Sequence, residues 1–290
     1  MRRSRKAGAG RTVGASFREY GRGVAGGLLF SLPLLYTMEV WHAGFTMPPH
    51  RQLIYVLAAL VLLLGYNRFA GLHPDSTWVE VGIDSIEEMG IGLLLSAVVL
   101  LLLGRITAEQ DVGEVLGRIV VEAVTVAIGV SVGTAQLGGG GEGEGREPGM
   151  GERGRASFGG QLTLSACGAV LFAANIAPTE EIVQIGVELS GLQLAGLGIA
   201  TMAVAALILY FSDFYGARRW ARAEGTVGML RGVVITYALG LVASAGILWL
   251  FGRFDGMGPA VIAGQTVALG VASTIGASAG RLLIQEGAGE

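Results

Sequence analysis

A chain of 290 residues that is 52% hydrophobic and only 15% charged, with a formal net charge of −3, lies far from soluble composition, in which about 25% of residues are charged. Its apolar residues gather into runs of about 20, the length a helix needs to cross a bilayer, and most runs lack the polar stripe of a surface helix. These features exclude a soluble globular protein, and the single cysteine, Cys167, excludes an intramolecular disulfide and supplies no zinc framework.

Residues 1–22 form a basic tail with no short apolar region followed by a small-residue cleavage site, so a cleaved signal peptide is not expected. A cytoplasmic tail is the expectation, with binding to anionic headgroups as the alternative. Residues 23–137 read as a first group of four membrane helices. Helix 1 is expected over Val24–Ala43, kinked near Pro33 because proline frees a backbone carbonyl. Helix 2 follows over Gln52–Phe69, and residues 67–82 read as a connecting loop. Helix 3 carries IDSIEEMGIGLLLSAVVLLLLG. It reaches spanning length only if Asp84, Glu87 and Glu88 belong to it near the membrane surface. Those acids read as an interfacial cluster, with Glu87 or Glu88 as a proton relay in the alternative. Helix 4 is expected over Val115–Leu137, with Glu122 and Thr125 on one polar, small-residue stripe.

Residues 138–160 are rich in Gly, Glu and Arg and read as a solvated linker with nothing to bury. No Lys-Ser/Thr pair follows the glycines and no strand precedes them, so a phosphate loop is rejected. Residues 161–283 read as a second group of four helices: Gln161–Val187, kinked at Pro178 and carrying Glu180 and Glu181, then Leu192–Phe211, Met229–Phe251 and Pro259–Leu283. Residues 284–290 are a short tail.

The two groups resemble each other. GGLLFSLPLLYTMEV at 26–40 returns as GAVLFAANIAPTEEI at 168–182, placing Gly26 on Gly168, Phe30 on Phe172, Thr37 on Thr179 and Glu39 on Glu181. LVLLLGYNRFAG (60–71) resembles ALILYFSDFYG (206–216), Gly104-Arg105 falls on Gly252-Arg253, and IGVSVG (128–133) falls on IGASAG (275–280). The matches keep one order with small drift. The expected fold is therefore all-α, with about eight transmembrane helices arranged as two four-helix repeats. Arginine is concentrated in the segments on the side of the N-terminus, and the opposite side holds only Arg51, Arg105, Arg118 and Arg253 under this assignment. By the positive-inside rule both termini are cytoplasmic, and an even number of spans per repeat makes the repeats parallel.

A carboxylate inside a membrane segment is costly and is by default a functional residue. Glu39 and Glu181 lead, because the proposed repeat could bring them together at a central axis, where two carboxylates share a proton or bind a cation. Thr37 and Thr179 would add hydroxyl oxygens, which hard cations favour. Pro33 and Pro178 could free main-chain carbonyls, although Asn175 stands where a second Pro33 would be. Glu180 and Glu122 complete the candidates. The plain alternative for each is a side chain reaching the headgroups or a helix contact. No HExxH or G-x-S-x-G motif occurs in the sequence, so no metalloprotease or α/β-hydrolase is indicated.

PLLYTMEVW (33–41) with APTEEI (177–182) resembles a family of bacterial integral membrane proteins of unknown function. The resemblance covers most of the chain apart from the tail and linker, and it implies a multi-pass protein of the inner membrane. The resulting expectation is a proton or metal-ion transporter or channel. The runner-up is a membrane scaffold or sensor with structural buried acids, and an intramembrane enzyme comes third. The expected partners are the lipid bilayer and a cation, with no nucleic acid and no cofactor, and a homo-oligomer is compatible with this reading.

Overall fold

The computed structural model of the chain describes residues 13–70, 76–136, 158–211 and 215–282. These fall into ten helices and no strands: α1 (Val13–Leu35), α2 (Met38–Thr46), α3 (Pro49–Ala70), α4 (Trp78–Leu102), α5 (Val112–Gln136), α6 (Phe158–Ile176), α7 (Glu180–Glu188), α8 (Gly191–Phe211), α9 (Tyr215–Leu250) and α10 (Pro259–Leu282). Seven are long and apolar enough to cross a membrane, or eight if the bent pair α1–α2 counts as one span. Most of the expected linker, both chain ends and residues 71–75 lie outside the described residues.

Two expected helices are each divided in two. The chain turns by 87° between α1 and α2, so the expected continuous helix over Val24–Ala43 ends at Leu35. Pro33 does not make the break. α1 runs through it, and the turn follows at Tyr36-Thr37, where the Thr37 amide donates to the Leu34 carbonyl at 3.0 Å. In the second half the break falls between Ile176 and Glu180, and Pro178 lies within it. A proline cannot donate to the preceding turn, and at this position it ends the helix. α9 is also longer than expected, beginning at Tyr215.

Polar side chains at regular intervals fix how the first-half helices pack. α4 buries Val81, Ser85, Glu88, Gly92, Ser96 and Leu100, a three-to-four-residue stripe on one helix face. Its start is a capping box, in which the Thr77 amide donates to Glu80 Oε2 at 2.7 Å and the Glu80 amide to Thr77 Oγ1 at 3.4 Å, an arrangement worth about 1 kcal/mol. α3 buries Tyr55, Ala59, Leu63, Tyr66 and Asn67. Asn67, expected in a loop, belongs to this helix and continues its four-residue stripe.

The helix at the centre is α5. It packs against α1, α2, α3, α4 and α6, and 72% of its span is buried, against 17% for α8. Close approach explains the glycines here. A Cβ at Gly26 of α1 would collide with the Gly133 backbone of α5, and in the second half a Cβ at Gly168 of α6 would collide with the Gly276 carbonyl of α10. Small residues permit such backbone contacts, which drive helix association in lipid.

α4 and α9 end alike. The Gly104 amide donates to Leu101 at 3.0 Å and the Arg105 amide to Leu100 at 2.8 Å, while the Gly252 amide donates to Trp249 at 3.1 Å and the Arg253 amide to Leu248 at 2.9 Å. Gly104 and Gly252 have φ of 66° and 74°, the left-handed conformation that this Schellman ending requires. These two turns mark one end of the bundle, called here the turn end. The opposite end, where α4 begins, is the tail end.

Candidate functional site

The acids highlighted by the sequence separate into two environments. Glu39 lies in the first turn of α2, and Glu180 and Glu181 lie in the first turn of α7. Glu39 is half-buried, whereas Glu181 and Glu180 are exposed. Each short helix packs against the last helix of its own half, α2 on α5 and α7 on α10. Among the described residues, Glu39 and Glu181 have no hydrogen-bond or ion-pair partner, whereas Glu180 accepts from Arg253 Nη1 at 2.7 Å. The Thr37 hydroxyl donates to the Pro33 carbonyl at 2.6 Å, and the Thr179 hydroxyl to the Ile176 carbonyl at 2.9 Å. Thr37 and Thr179 are also the N-cap residues of α2 and α7, without a side-chain cap hydrogen bond. The Pro33 and Ile176 carbonyls are thus engaged by these two hydroxyls. Asn175 reaches across to the first half, with its Nδ2 donating to the Phe30 carbonyl at 3.3 Å and to Leu171 at 2.6 Å.

The turn end gathers the four arginines assigned to one side from the sequence. Arg51 holds Asp255 through two bonds, Nη1 to Oδ2 at 2.7 Å and Nη2 to Oδ1 at 2.8 Å, and lies over Trp249. The guanidinium holds the Asp255 carboxyl below its ordinary range. Arg105 lies 4.3 Å over the Trp41 ring, and Arg118 pairs with Glu114 one helical turn earlier. These contacts are electrostatic and aromatic, and they tie α2, α3 and the two turns together.

The deep acids are Glu88 and Glu122. Asn67 Nδ2 donates to Glu88 Oε2 at 2.7 Å and to Ser85 Oγ at 3.1 Å, and Ser131 Oγ donates to Asn67 Oδ1 at 3.2 Å. The Ser85 hydroxyl is 2.8 Å from the Val81 carbonyl. One connected network therefore joins α3, α4 and α5, and Glu88 is 8% exposed within it. Toward the tail end, the neighbouring Glu87 is exposed and accepts a hydrogen bond from the Tyr20 hydroxyl of α1.

Glu122 has no such network. It is fully buried on α5, and neither carboxylate oxygen has a hydrogen-bond partner among the described residues. The Thr125 hydroxyl, one turn further on, donates to the Glu122 backbone carbonyl at 3.0 Å rather than to its carboxylate. Tyr55 of α3 lies within electrostatic reach of Glu122, and its hydroxyl is also buried without a partner. In the second half Leu269, fully buried on α10, occupies the position that the sequence matches pair with Glu122. Burying an ionised carboxylate at mid-helix costs roughly 3 kcal/mol or more, so an acid kept there without a partner has little structural justification.

Sequence reasoning included Glu122 but placed Glu88 at the interface and Asn67 in a loop. A helical stripe was the available signal. Ser85, Glu88, Gly92 and Ser96 recur at three and four residues, and Asn67 falls four after Leu63. Among the described residues, no group of three or more His, Cys, Asp or Glu could hold a metal ion.

No curated protein and no solved structure matches the chain. A family model described as "Putative integral membrane protein (DUF2391)" matches residues 19–284. With most of its length matched and up to eight apolar helices of spanning length, the chain belongs to the DUF2391 family of integral membrane proteins.

Proposed function

We propose that the protein moves a cation across the membrane and that its working carboxylates are Glu122 and Glu88 of the first half. The observation that carries this reading is Glu122, whose two oxygens are buried without a partner on the most buried helix. Intramembrane acids of this kind mark ion pathways and proton relays. Glu88, held by Asn67, supplies a second acid nearer the tail end. Glu39 and Glu181, at the first turns of α2 and α7, are the acids an ion would meet near the turn end.

The two halves then act as copies of one design with different chemistry. Gly26 meets Gly129 and Gly133, as Gly168 meets Gly276 and Gly280; Gly44 meets Gly117 and Arg118, as Gly186 meets Gly264 and Gln265. These recurrences support the duplication expected from the sequence. The deep acids, however, belong to one copy.

The test is cation uptake by liposomes containing purified protein, with wild type beside Glu122→Gln. Flux in wild type, and its loss in a variant that melts at the same temperature, is the expected result. Absence of flux for every cation tried would overturn the reading and favour the scaffold or sensor alternative.

A further inference from the structure

We infer that the cation is a proton, carried as the neutral carboxyl of Glu122; this rests on the transport reading above. The argument starts with what a metal ion would need. A hard cation stripped of water requires several oxygen ligands. Around Glu122 the nearby hydroxyl of Thr125 is committed to a backbone carbonyl, and the neighbouring side chains of α5 are Val121, Ala123, Val124 and Val126, all buried. Neither carboxylate oxygen of Glu122 has a hydrogen-bond partner among the described residues, and no group of three or more His, Cys, Asp or Glu is gathered among them, so nothing described there replaces a hydration shell. A proton needs a single lone pair, and its binding removes the charge that makes the site costly.

The charged and titratable groups facing these acids are few. Tyr55 of α3 lies within electrostatic reach of Glu122. At Glu88 the neighbours are Asp84 and Glu87 of its own helix, Asn67 of α3 and Ser131 of α5, with Cys167 of α6 within electrostatic reach. Among the described residues no arginine or lysine pairs with either acid, so neither has a cation to hold it ionised.

The two acids are kept apart. From Glu122 to Ser131, which belongs to the Glu88 network, α5 advances nine residues, about 13 Å at the α-helical rise. The intervening Val124, Val126, Ala127 and Ile128 are buried. Among the described residues no hydrogen-bonded chain joins the two acids, and a proton does not hop such a distance directly. Transfer requires the packing of α3, α4 and α5 to open toward one end and then the other. In each cycle the carboxylate takes a proton from water at one face, forming an O–H bond, and returns it to water at the opposite face, leaving the carboxyl unchanged.

Two measurements on the full-length protein in lipid test this. Infrared spectroscopy at neutral pH should show a protonated-carboxyl carbonyl stretch, sensitive to deuterium and lost in Glu122→Gln. Absence of such a band in wild type overturns the inference. Liposomes with an internal pH indicator, in a medium whose only other cation is bulky and impermeant, should change internal pH when a membrane potential is imposed. The change should fall at least tenfold in Glu122→Gln and be altered in Tyr55→Phe, a second variant that keeps the ring packing. Alkali or divalent flux without proton flux overturns the proton assignment while the transport reading stands. No flux of any ion overturns both, even with the infrared band present.

Discussion

At the scale of single residues, Glu122 and Glu88 illustrate two ways a membrane protein keeps an acid. Glu88 is held by the Asn67 amide, which Ser131 holds in turn, and removing that donor should be costly. Asn67→Ala is expected to destabilise the protein by about 1–2 kcal/mol, the upper range for polar contacts between membrane helices, measured as a lower melting temperature in detergent. Glu122 should behave in the opposite sense. Glu122→Leu, which installs the residue type found at Leu269 of the other half, removes a buried unpartnered acid. It is expected to leave stability unchanged or raise it by about 1 kcal/mol while abolishing flux. A Glu122→Leu protein that unfolds early would show that the acid serves packing.

At the scale of elements, helix contacts rather than the hydrophobic effect hold the bundle, since lipid tails are as apolar as leucine. Gly168→Val should therefore prevent α6 from docking on α10, because even a Cβ at that site collides with the Gly276 carbonyl. The expected result is loss of a monodisperse peak in gel filtration. Gly90→Ala, where a Cβ meets nothing within 4 Å, should be tolerated and can gain up to about 1 kcal/mol of helix propensity. The spanning helices were legible in the sequence because runs of about 20 apolar residues have few other uses. The break at Tyr36-Thr37 was not, because nothing in the run marks where the chain turns; the one at Ala177-Thr179 was signalled by Pro178, although not as a full division of the helix. Pro33 gave a misleading signal, being tolerated within α1. Asn67 was hidden for a related reason: a polar residue at the end of an apolar run reads as a loop unless the stripe through Tyr55, Ala59 and Leu63 is followed.

At the scale of the whole molecule, the halves are joined through α3, α6 and α1, and at the turn end by Arg51 and Asp255. Asp255 gives this joint a pH dependence. Its carboxyl is held below the usual value of 3.8 by Arg51, so its contribution is fully present above that value. It is lost as pH falls through the lower folded-state value. Melting temperatures of wild type and Asp255→Asn should therefore differ at neutral pH and converge in strong acid; a constant difference would assign the effect to packing. How the deep acids are distributed between the halves was only partly legible. Sequence matching paired Glu39 with Glu181 as the first candidate site, because matched acids draw attention. The buried carboxylates are the unmatched ones, which the three-and-four-residue stripes of α4 and α5 mark and burial ranks first.

The depth of Glu122 has an electrical consequence. It lies ten residues into the 25-residue helix α5, so charge arriving there from either side crosses a substantial part of the transmembrane field. An elementary charge moved across the whole field gains about 2.3 kcal/mol per 100 mV. Half that distance corresponds to about 1 kcal/mol, or roughly a fivefold change in occupancy. On the proton-carrier inference above, a cell's resting voltage would then set how often Glu122 is loaded, and uptake would follow the energy state of the membrane as well as pH.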